Sequence, residues 1–168
     1  MSHLKLGEIL IQQGIINHKQ LDDAVKTQKS EGGRIGEVLI KLGFLTEEDI
    51  VSALGAQLHI PAASKKNNLL RPAIDQNLDK IVPLDFAKSN LVLPLRKKDN
   101  TLVCAVADPL DLLMLDNLKM VTRCEIELII ATKADLLSAI QDFYTLARSQ
   151  SAQIVSSHLK NKEAVKKP

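Results

Sequence analysis

The sequence predicts an α+β protein: an N-terminal all-helical subdomain built from a tandem motif, followed by a small α+β subdomain with a three-stranded antiparallel sheet. The first observation behind this prediction is a helix-forming phrase that occurs twice near the start of the chain. The second is a set of short runs rich in Val, Ile and Leu, separated by turn residues, in the second half. We expect the helical subdomain to span residues 1–60, the α+β subdomain residues 61–146, and a polar, basic tail or linker residues 147–168.

The tandem motif occupies residues 5–28 and 34–57, which align without a gap and are separated by the spacer "KSEGG". The first copy begins "KLGEILIQQG" and the second "RIGEVLIKLG", so a cation, an aliphatic residue and a glycine open each copy. Aligned apolar positions recur with the spacing of one helix face. An ungapped match of this length indicates an internal duplication.

Each copy of the motif is predicted to fold as helix, tight turn, helix. Gly14 and Gly43 stand where a residue of left-handed conformation would end the first helix. Asn17 and Thr46 are suited to cap the second helix. In the second copy, three acidic residues at positions 47–49 fall in the first turn, where the helix dipole favours negative charge.

Gly7 and Gly36, near the start of each copy, admit two interpretations. A glycine that follows a cation at a helix start leaves backbone N–H groups open to an anion. A glycine also permits one helix to pack closely on another, because it has no Cβ. The residues alone leave both interpretations open.

The second half is predicted to form a hairpin, a helix, a third strand and a last helix. Asp108 and Pro109 precede the middle helix, where Asp108 is a candidate cap, and Thr132 is predicted to cap the last helix. The predicted bounds are strand Leu91–Leu95, turn Lys98–Asn100, strand Thr101–Ala107, a third strand in "CEIELIIA" and a last helix Lys133–Leu146.

Composition and motifs argue against several functions. A net charge of +2, four aromatic residues and the acidic turn at positions 47–49 argue against DNA binding, which paired helix–turn–helix units would otherwise suggest. The sequence has no phosphate-binding loop or nucleophile elbow, and its histidines lack metal-ligand spacing, so we expect no enzyme activity, cofactor or metal.

The location of the chain is predicted from three observations. Cys104 and Cys124 are expected to be buried free thiols rather than a disulfide. No apolar run approaches the ~20 residues of a membrane span, and the first residues do not form a signal peptide. We therefore expect a cytoplasmic protein.

With its duplicated motif, the sequence resembles the N-terminal domain of type II secretion and type IV pilus assembly ATPases, in particular the cyclic-di-GMP-binding MshEN domain. That family uses a motif beginning Arg-Leu-Gly twice, with a five-residue spacer, as residues 5–28 and 34–57 do. The segments "VPLDFAKSNLVLPL", "LVCAVADPLD" and "ATKADLLSAIQDFY" are similar to the α+β subdomain of the family. The resemblance extends from Leu4 to Tyr144.

The resemblance implies a cyclic-di-GMP-binding regulatory module of a secretion or pilus system, whose partner is an attached or separate ATPase or an inner-membrane platform protein. It implies neither a nucleic-acid polymer as partner nor direct membrane insertion. Cyclic-di-GMP has approximate two-fold symmetry, and two motif copies offer each half a similar site. The implied ligand-binding residues are Lys5, Leu6, Gly7, Leu10, Leu21, Val25 and Gln28 in the first copy, Arg34, Ile35, Gly36, Leu39, Ile50 and Leu54 in the second, and Asp108.

Three of these residues have roles implied by their chemistry. Asp108 would accept hydrogen bonds from guanine N1–H and N2–H, and Arg34 would donate to guanine O6 and N7 or stack on the base. Lys5 stands where the family has arginine, and an ammonium group does not present a planar fork. A protein–protein docking domain of the same machinery, without nucleotide binding, is the alternative function.

Overall fold

The computed structural model describes residues 5–64 and 66–164, with side chains through residue 153. Residues 1–4, 65 and 165–168, which belong to the predicted helical subdomain, α+β subdomain and tail, lie outside the described residues. The elements in chain order are α1 (Leu6–Gln12), α2 (His18–Glu31), α3 (Ile35–Lys41), α4 (Glu47–Leu58), β1 (Ala62–Ala63), a 3-10 helix (Ile74–Gln76), α5 (Leu78–Ile81), α6 (Leu84–Asn90), β2 (Val92–Lys98), β3 (Thr101–Val106), α7 (Leu112–Thr122), β4 (Glu125–Ala131) and α8 (Lys133–Ala164). Within this part of the chain, no helix has the length and apolar character that crossing a membrane requires.

The tandem motif folds as two helix–turn–helix units of the same local geometry, as predicted. Gly14 and Gly43 follow the first helix of each unit with φ angles of 71° and 72°. Asn17 and Thr46 cap the second helix, each accepting a hydrogen bond from the backbone N–H three residues further on. Backbone and hydroxyl hydrogen bonds from Thr46 hold the pKa of Asp49 below its ordinary value.

The two helix–turn–helix units pack on each other. Helix α1 contacts α4, and α2 contacts α3, so the first helix of each unit packs on the second helix of the other. Their shared core is aliphatic, and its most buried members from the two units are Ile9, Leu10, Ala24, Leu39, Ala53 and Leu54. Neither unit therefore buries its apolar face without the other.

The sheet of the α+β half is mixed and four-stranded, in the order β1-β4-β3-β2. β2 and β3 form the predicted antiparallel hairpin, but β4 pairs parallel with β3 and β1 pairs parallel with β4. The prediction of a three-stranded antiparallel sheet was therefore wrong. Helix α7 connects β3 to β4, and such a crossover returns the chain to the same end of the sheet, which makes the two strands parallel. β1 has only two residues, too few to show a strand pattern.

The bounds of three elements differ most from the predicted ones. β2 continues to Lys98, with an irregularity in its pairing between Pro94 and Arg96. Helix α7 begins at Leu112, later than the residues after Pro109 suggested. Helix α8 continues beyond Leu146 to Ala164, through most of the predicted tail. The polar part of a helix that continues beyond the core resembles a tail in sequence, because neither kind of segment contributes apolar side chains to a core.

Two apolar cores meet at strand β4. Ile129 and Ala131 belong to the core of the α+β half, whereas Ile130 between them packs into the core of the tandem helices. Successive side chains of a strand point to opposite faces, so one strand serves both cores. Helix α4 lies against β4 and β1, and α8 against β2 on the other face. The sheet is thus covered on both sides.

The two cysteines are buried free thiols, as predicted. Burial, with a smaller contribution from nearby Cys124, raises the pKa of Cys104 to about 12. The thiol is therefore protonated at neutral pH, as the apolar interior around it requires.

We expect Gly14→Ala and Gly43→Ala each to lower the free energy of unfolding by about 1–2 kcal/mol, because alanine is strained in the left-handed region. Apart from its chain neighbours, no atom lies within 4 Å of the position that a Cβ would take at either residue, so backbone strain is the expected cause. Urea denaturation followed by circular dichroism measures the change. Gly14→Asn is the matched control and should lose less, since asparagine tolerates this conformation. An alanine variant as stable as the parent would contradict this explanation.

Candidate ligand-binding site

A cleft of about 730 Å³ lies between the second copy of the tandem motif and the α+β half. Helices α3 and α4 form one wall, and the segments that follow β3 and β4 form the other. Because β3 and β4 are parallel, their carboxyl ends lie at the same edge of the sheet, where β2 begins. In open α/β sheets, ligands bind outside the carboxyl ends of the strands. The position of the cleft therefore makes it the candidate ligand site.

The structure brings eight of the predicted ligand-binding residues to this cleft, namely Leu6, Gln28, Arg34, Ile35, Gly36, Ile50, Leu54 and Asp108. The other six lie outside its lining, namely Lys5, Gly7, Leu10, Leu21, Val25 and Leu39. Leu10 and Leu39 have exposed fractions of 0% in the core of the tandem helices. Lys5 is exposed and precedes α1 as its N-cap residue. The cleft is therefore formed mainly by the second copy.

Gly7 and Gly36, near the start of each motif copy, lie close to side chains from equivalent positions of the motif. A Cβ on Gly7 would stand 2.7 Å from Leu21 Cδ1, and a Cβ on Gly36 would stand 3.1 Å from Ile50 Cδ1 and 3.2 Å from Leu6 Cδ2. Contacts this short require glycine unless the neighbouring side chain moves. This geometry favours the close-packing interpretation of both glycines. Gly36 also borders the cleft.

Arg34 links the two halves of the molecule across the cleft. Its Nη1 donates to Asp108 Oδ2 at 2.9 Å, and its Nη2 donates to Asp111 Oδ2 at 3.0 Å. The guanidinium side chain remains 61% exposed, so the ion pairs are accessible to solvent and to a ligand. The planar guanidinium group has two donor edges and can pair with two carboxylates, whereas a lysine ammonium group does not have this geometry.

The two aspartates have different local roles. Asp111 Oδ1 accepts a hydrogen bond from Met114 N at 3.0 Å, so Asp111 caps α7. Asp108 Oδ1 accepts from Leu110 N at 3.0 Å, in the turn before that helix. The helix-capping role considered for Asp108 thus belongs to Asp111. The carboxylate of Asp108 does not cap α7.

A second set of charges lies on the opposite rim of the cleft, where α8 begins. Lys133 Nζ lies 3.8 Å from Glu37 Oε1, and the backbone N–H of Lys133 donates to Glu47 Oε2 at 3.1 Å. Thr132 caps α8 as predicted, because its hydroxyl accepts from Asp135 N at 3.1 Å. Side chains from α3 and α4 therefore contact the α+β half at this rim as well.

The sequence prediction missed four charged residues of the cleft: Glu37, Glu47, Asp111 and Lys133. Glu37 and Glu47 lie within the second motif copy, and Asp111 lies three residues after Asp108, so proximity in sequence could have indicated them. Lys133 had no local signal, because only the parallel pairing of β4 brings it to the cleft. Among the described residues, no three His, Cys, Asp or Glu side chains are grouped so that they could hold a metal ion.

Tandem helix–turn–helix units packed on a mixed sheet, with a charged cleft at their junction, define a two-part α+β domain. The profile of the MshEN domain family matches residues 67–150, which is half of the chain. The chain therefore belongs to the MshEN domain family, as the resemblance implied. The matched residues lie in the α+β half, and the tandem motif precedes them.

Several known proteins are similar to this chain. The type IV pilus assembly ATPase PilB of Myxococcus xanthus is 31% identical over 140 residues, which cover 83% of this chain but only 24% of PilB. A structure described as MshE with cdg (cyclic-di-GMP) has a TM-score of 0.75 and 29% identity, covering 84% of this chain and 100% of that one. The N-terminal domain of XpsE, at 19% identity and a TM-score of 0.68, shares the fold over 84% of this chain and 97% of that one.

We expect Asp111→Ala to lower the free energy of unfolding by about 1 kcal/mol, because α7 loses its cap. Asp111→Asn should lose less, since asparagine caps equally well and an exposed ion pair contributes only about 0.2–1 kcal/mol. Chemical denaturation of both variants measures the difference. Asp116→Ala, an exposed change on the same helix, is the control and should not destabilise. Equal losses in the Ala and Asn variants would argue against the capping role.

Proposed function

We propose that this chain is a cyclic-di-GMP-binding regulatory module of a type IV pilus or type II secretion system. The observation that carries the proposal is the cleft at the junction of the two halves, where Arg34 of the second motif meets Asp108. Similarity to MshE, whose structure contains cyclic-di-GMP, supports the same ligand. The volume of about 730 Å³ lies within the range of about 300–1,000 Å³ that small-molecule sites occupy.

The side chains of the cleft match the groups of the proposed ligand. Asp108 can accept hydrogen bonds from guanine N1–H and N2–H, and Arg34 can donate to guanine O6 and N7. An aliphatic wall of Ile35, Ile50 and Leu6 would cover the flat faces of the base. Covered apolar surface contributes roughly 25 cal/mol per Å².

A single ligand would reach both copies of the motif. Leu6 and Gln28 belong to the first copy, yet both line the cleft with residues of the second copy. Gln28 Nε2 donates to the carbonyl oxygen of Gly33, which ties the end of the first copy to the spacer before Arg34. One dinucleotide per chain is the stoichiometry that this arrangement favours.

The proposed regulatory effect follows from the position of the ligand between the two halves. A ligand that contacts Arg34 and Asp108 together would restrain the orientation of the tandem helices relative to the sheet. The resulting population shift is limited by the difference in ligand affinity between the two arrangements. We propose that a cytoplasmic pilus or secretion ATPase, attached or separate, responds to that shift, and that the module itself has no catalytic role.

We expect isothermal titration with cyclic-di-GMP to give saturable heat with one ligand per chain. GTP and cyclic-di-AMP are the controls, since neither presents two guanines in a cyclic dinucleotide. Saturation at two ligands per chain would contradict a site shared by both copies. Absence of heat at millimolar cyclic-di-GMP would reject the proposed function.

We expect Arg34→Ala to weaken this binding more than Lys5→Ala does. Arg34 lines the cleft and can make two directed hydrogen bonds, each charged bond being worth about 1.5–3 kcal/mol, whereas Lys5 lies outside the lining. Titration of both variants at equal ionic strength measures the difference. Equal losses of affinity would show that the cleft does not distinguish the two cations.

The second candidate function is docking on another protein of the pilus or secretion system. Exposed apolar side chains on helix α7 favour it. Leu112, Leu113, Met120 and Val121 are 55%, 73%, 77% and 47% exposed, although all four are large apolar side chains on one helix. Exposed apolar groups of this kind are typical of protein interaction surfaces. A chain that binds no cyclic-di-GMP but loses its partner when Leu113 and Met120 are changed to serine would favour docking over ligand binding.

A further inference from the structure

The cleft contains two cations among the described residues that line it, Arg34 and Lys133. They stand on opposite walls: Arg34 precedes α3 of the tandem helices, and Lys133 is the first residue of α8. Lys5, the cation that opens the first motif copy, is outside this lining. A ligand in the cleft therefore meets a cation that the motif does not predict.

Lys133 is held at the rim by its backbone and is loosely bound through its side chain. Its backbone N–H donates to Glu47 Oε2, and the adjacent Thr132 caps the helix, so the start of α8 is fixed next to α4. Its Nζ lies 3.8 Å from Glu37 Oε1, beyond hydrogen-bond distance, and the two side chains are 52% and 61% exposed. An exposed ion pair of this length is easily exchanged for another anion.

The cyclic dinucleotide needs a cation for its phosphates. If Arg34 contacts a guanine edge, as its pairing with Asp108 favours, the phosphates require another positive group. Lysine acts as a mobile point charge on a flexible stem, which suits a phosphate oxygen better than a planar base edge. Lys133 is the remaining cation of the described cleft.

We propose that Lys133 is the phosphate-binding cation of the site, and that it exchanges Glu37 for a phosphate of cyclic-di-GMP when the ligand binds. This inference rests on the proposed function. It assigns the second cationic contact to the α+β half instead of to Lys5. Glu37 then competes with the ligand for Lys133, and its carboxylate weakens binding.

The test is isothermal titration with cyclic-di-GMP of the parent chain and of matched variants. Lys133→Gln should raise Kd by roughly tenfold or more, because one charge-assisted hydrogen bond is lost. Glu37→Gln should lower Kd by about two- to fivefold, because the competing charge is removed. Lys133→Arg keeps the positive charge and should stay within about threefold of the parent.

Two further measurements separate this role from a general effect of charge. Lys41→Gln removes a lysine that pairs with Glu31 on the tandem helices outside the cleft, and should leave Kd within about twofold. Lys133→Gln should also make the affinity less dependent on ionic strength, since one fewer charged contact with the ligand is screened by salt. Melting temperatures of all variants establish that they are folded.

The outcomes distinguish this inference from the proposed function. A parent chain that binds no cyclic-di-GMP rejects both. A parent chain that binds, together with a folded Lys133→Gln variant of unchanged Kd, rejects the role of Lys133 and leaves the proposed function standing. A larger loss of affinity in Lys5→Gln than in Lys133→Gln also overturns the inference, in favour of the first motif copy.

Discussion

The parallel pairing of β3 with β4 determines which residues meet at the cleft. Val106 lies opposite Ile130, so the two strands end together, and the residues that follow them, Asp108 and Lys133 among them, stand at one edge of the sheet. In strand β4, the fully buried side chain of Ile130 packs into the core of the tandem helices, whereas its chain neighbours Ile129 and Ala131 pack into the core of the α+β half. Burial of apolar surface on both faces of one strand holds the two halves together, and the charged contacts of the cleft lie beside this apolar junction.

Duplication gives the two motif copies the same local geometry but different surroundings. Lys5 and Arg34 are both N-cap residues in extended conformation, with ψ angles of 149° and 144°. Arg34 faces two carboxylates of the α+β half, whereas the backbone N–H of Lys5 donates to Glu8 of its own helix. A planar guanidinium can pair with two carboxylates at once, which an ammonium group does with poorer geometry. The arginine therefore stands in the copy whose surroundings can use it, and a lysine is sufficient in the other.

Sequence reasoning recovered the elements that depend on local signals. Gly14 and Gly43 ended helices and Asn17 and Thr46 began them, because left-handed turns and caps are formed by residues close in sequence. The direction of β4 was wrong, although the helix before it implied a parallel strand. That error also concealed Lys133, since a β4 antiparallel to β3 would put this residue at the far edge of the sheet. Leu10 and Leu39, which the resemblance implies as ligand contacts, are buried in the core of the tandem helices and lie outside the lining of the cleft.

The charges of the cleft narrow the kind of molecule that it can accommodate. Four carboxylates line it, those of Glu37, Glu47, Asp108 and Asp111, against the two cations Arg34 and Lys133. A simple anion that took a cation from its carboxylate would gain little net binding free energy, because one exposed ion pair, worth only about 0.2–1 kcal/mol, would replace another. A molecule that carries both phosphates and hydrogen-bond donors gains more, since its donors can pair with a carboxylate such as that of Asp108 when Arg34 contacts the ligand. Guanine N1–H and N2–H are such donors, so an excess of carboxylates is compatible with an anionic ligand when that ligand also contains guanine.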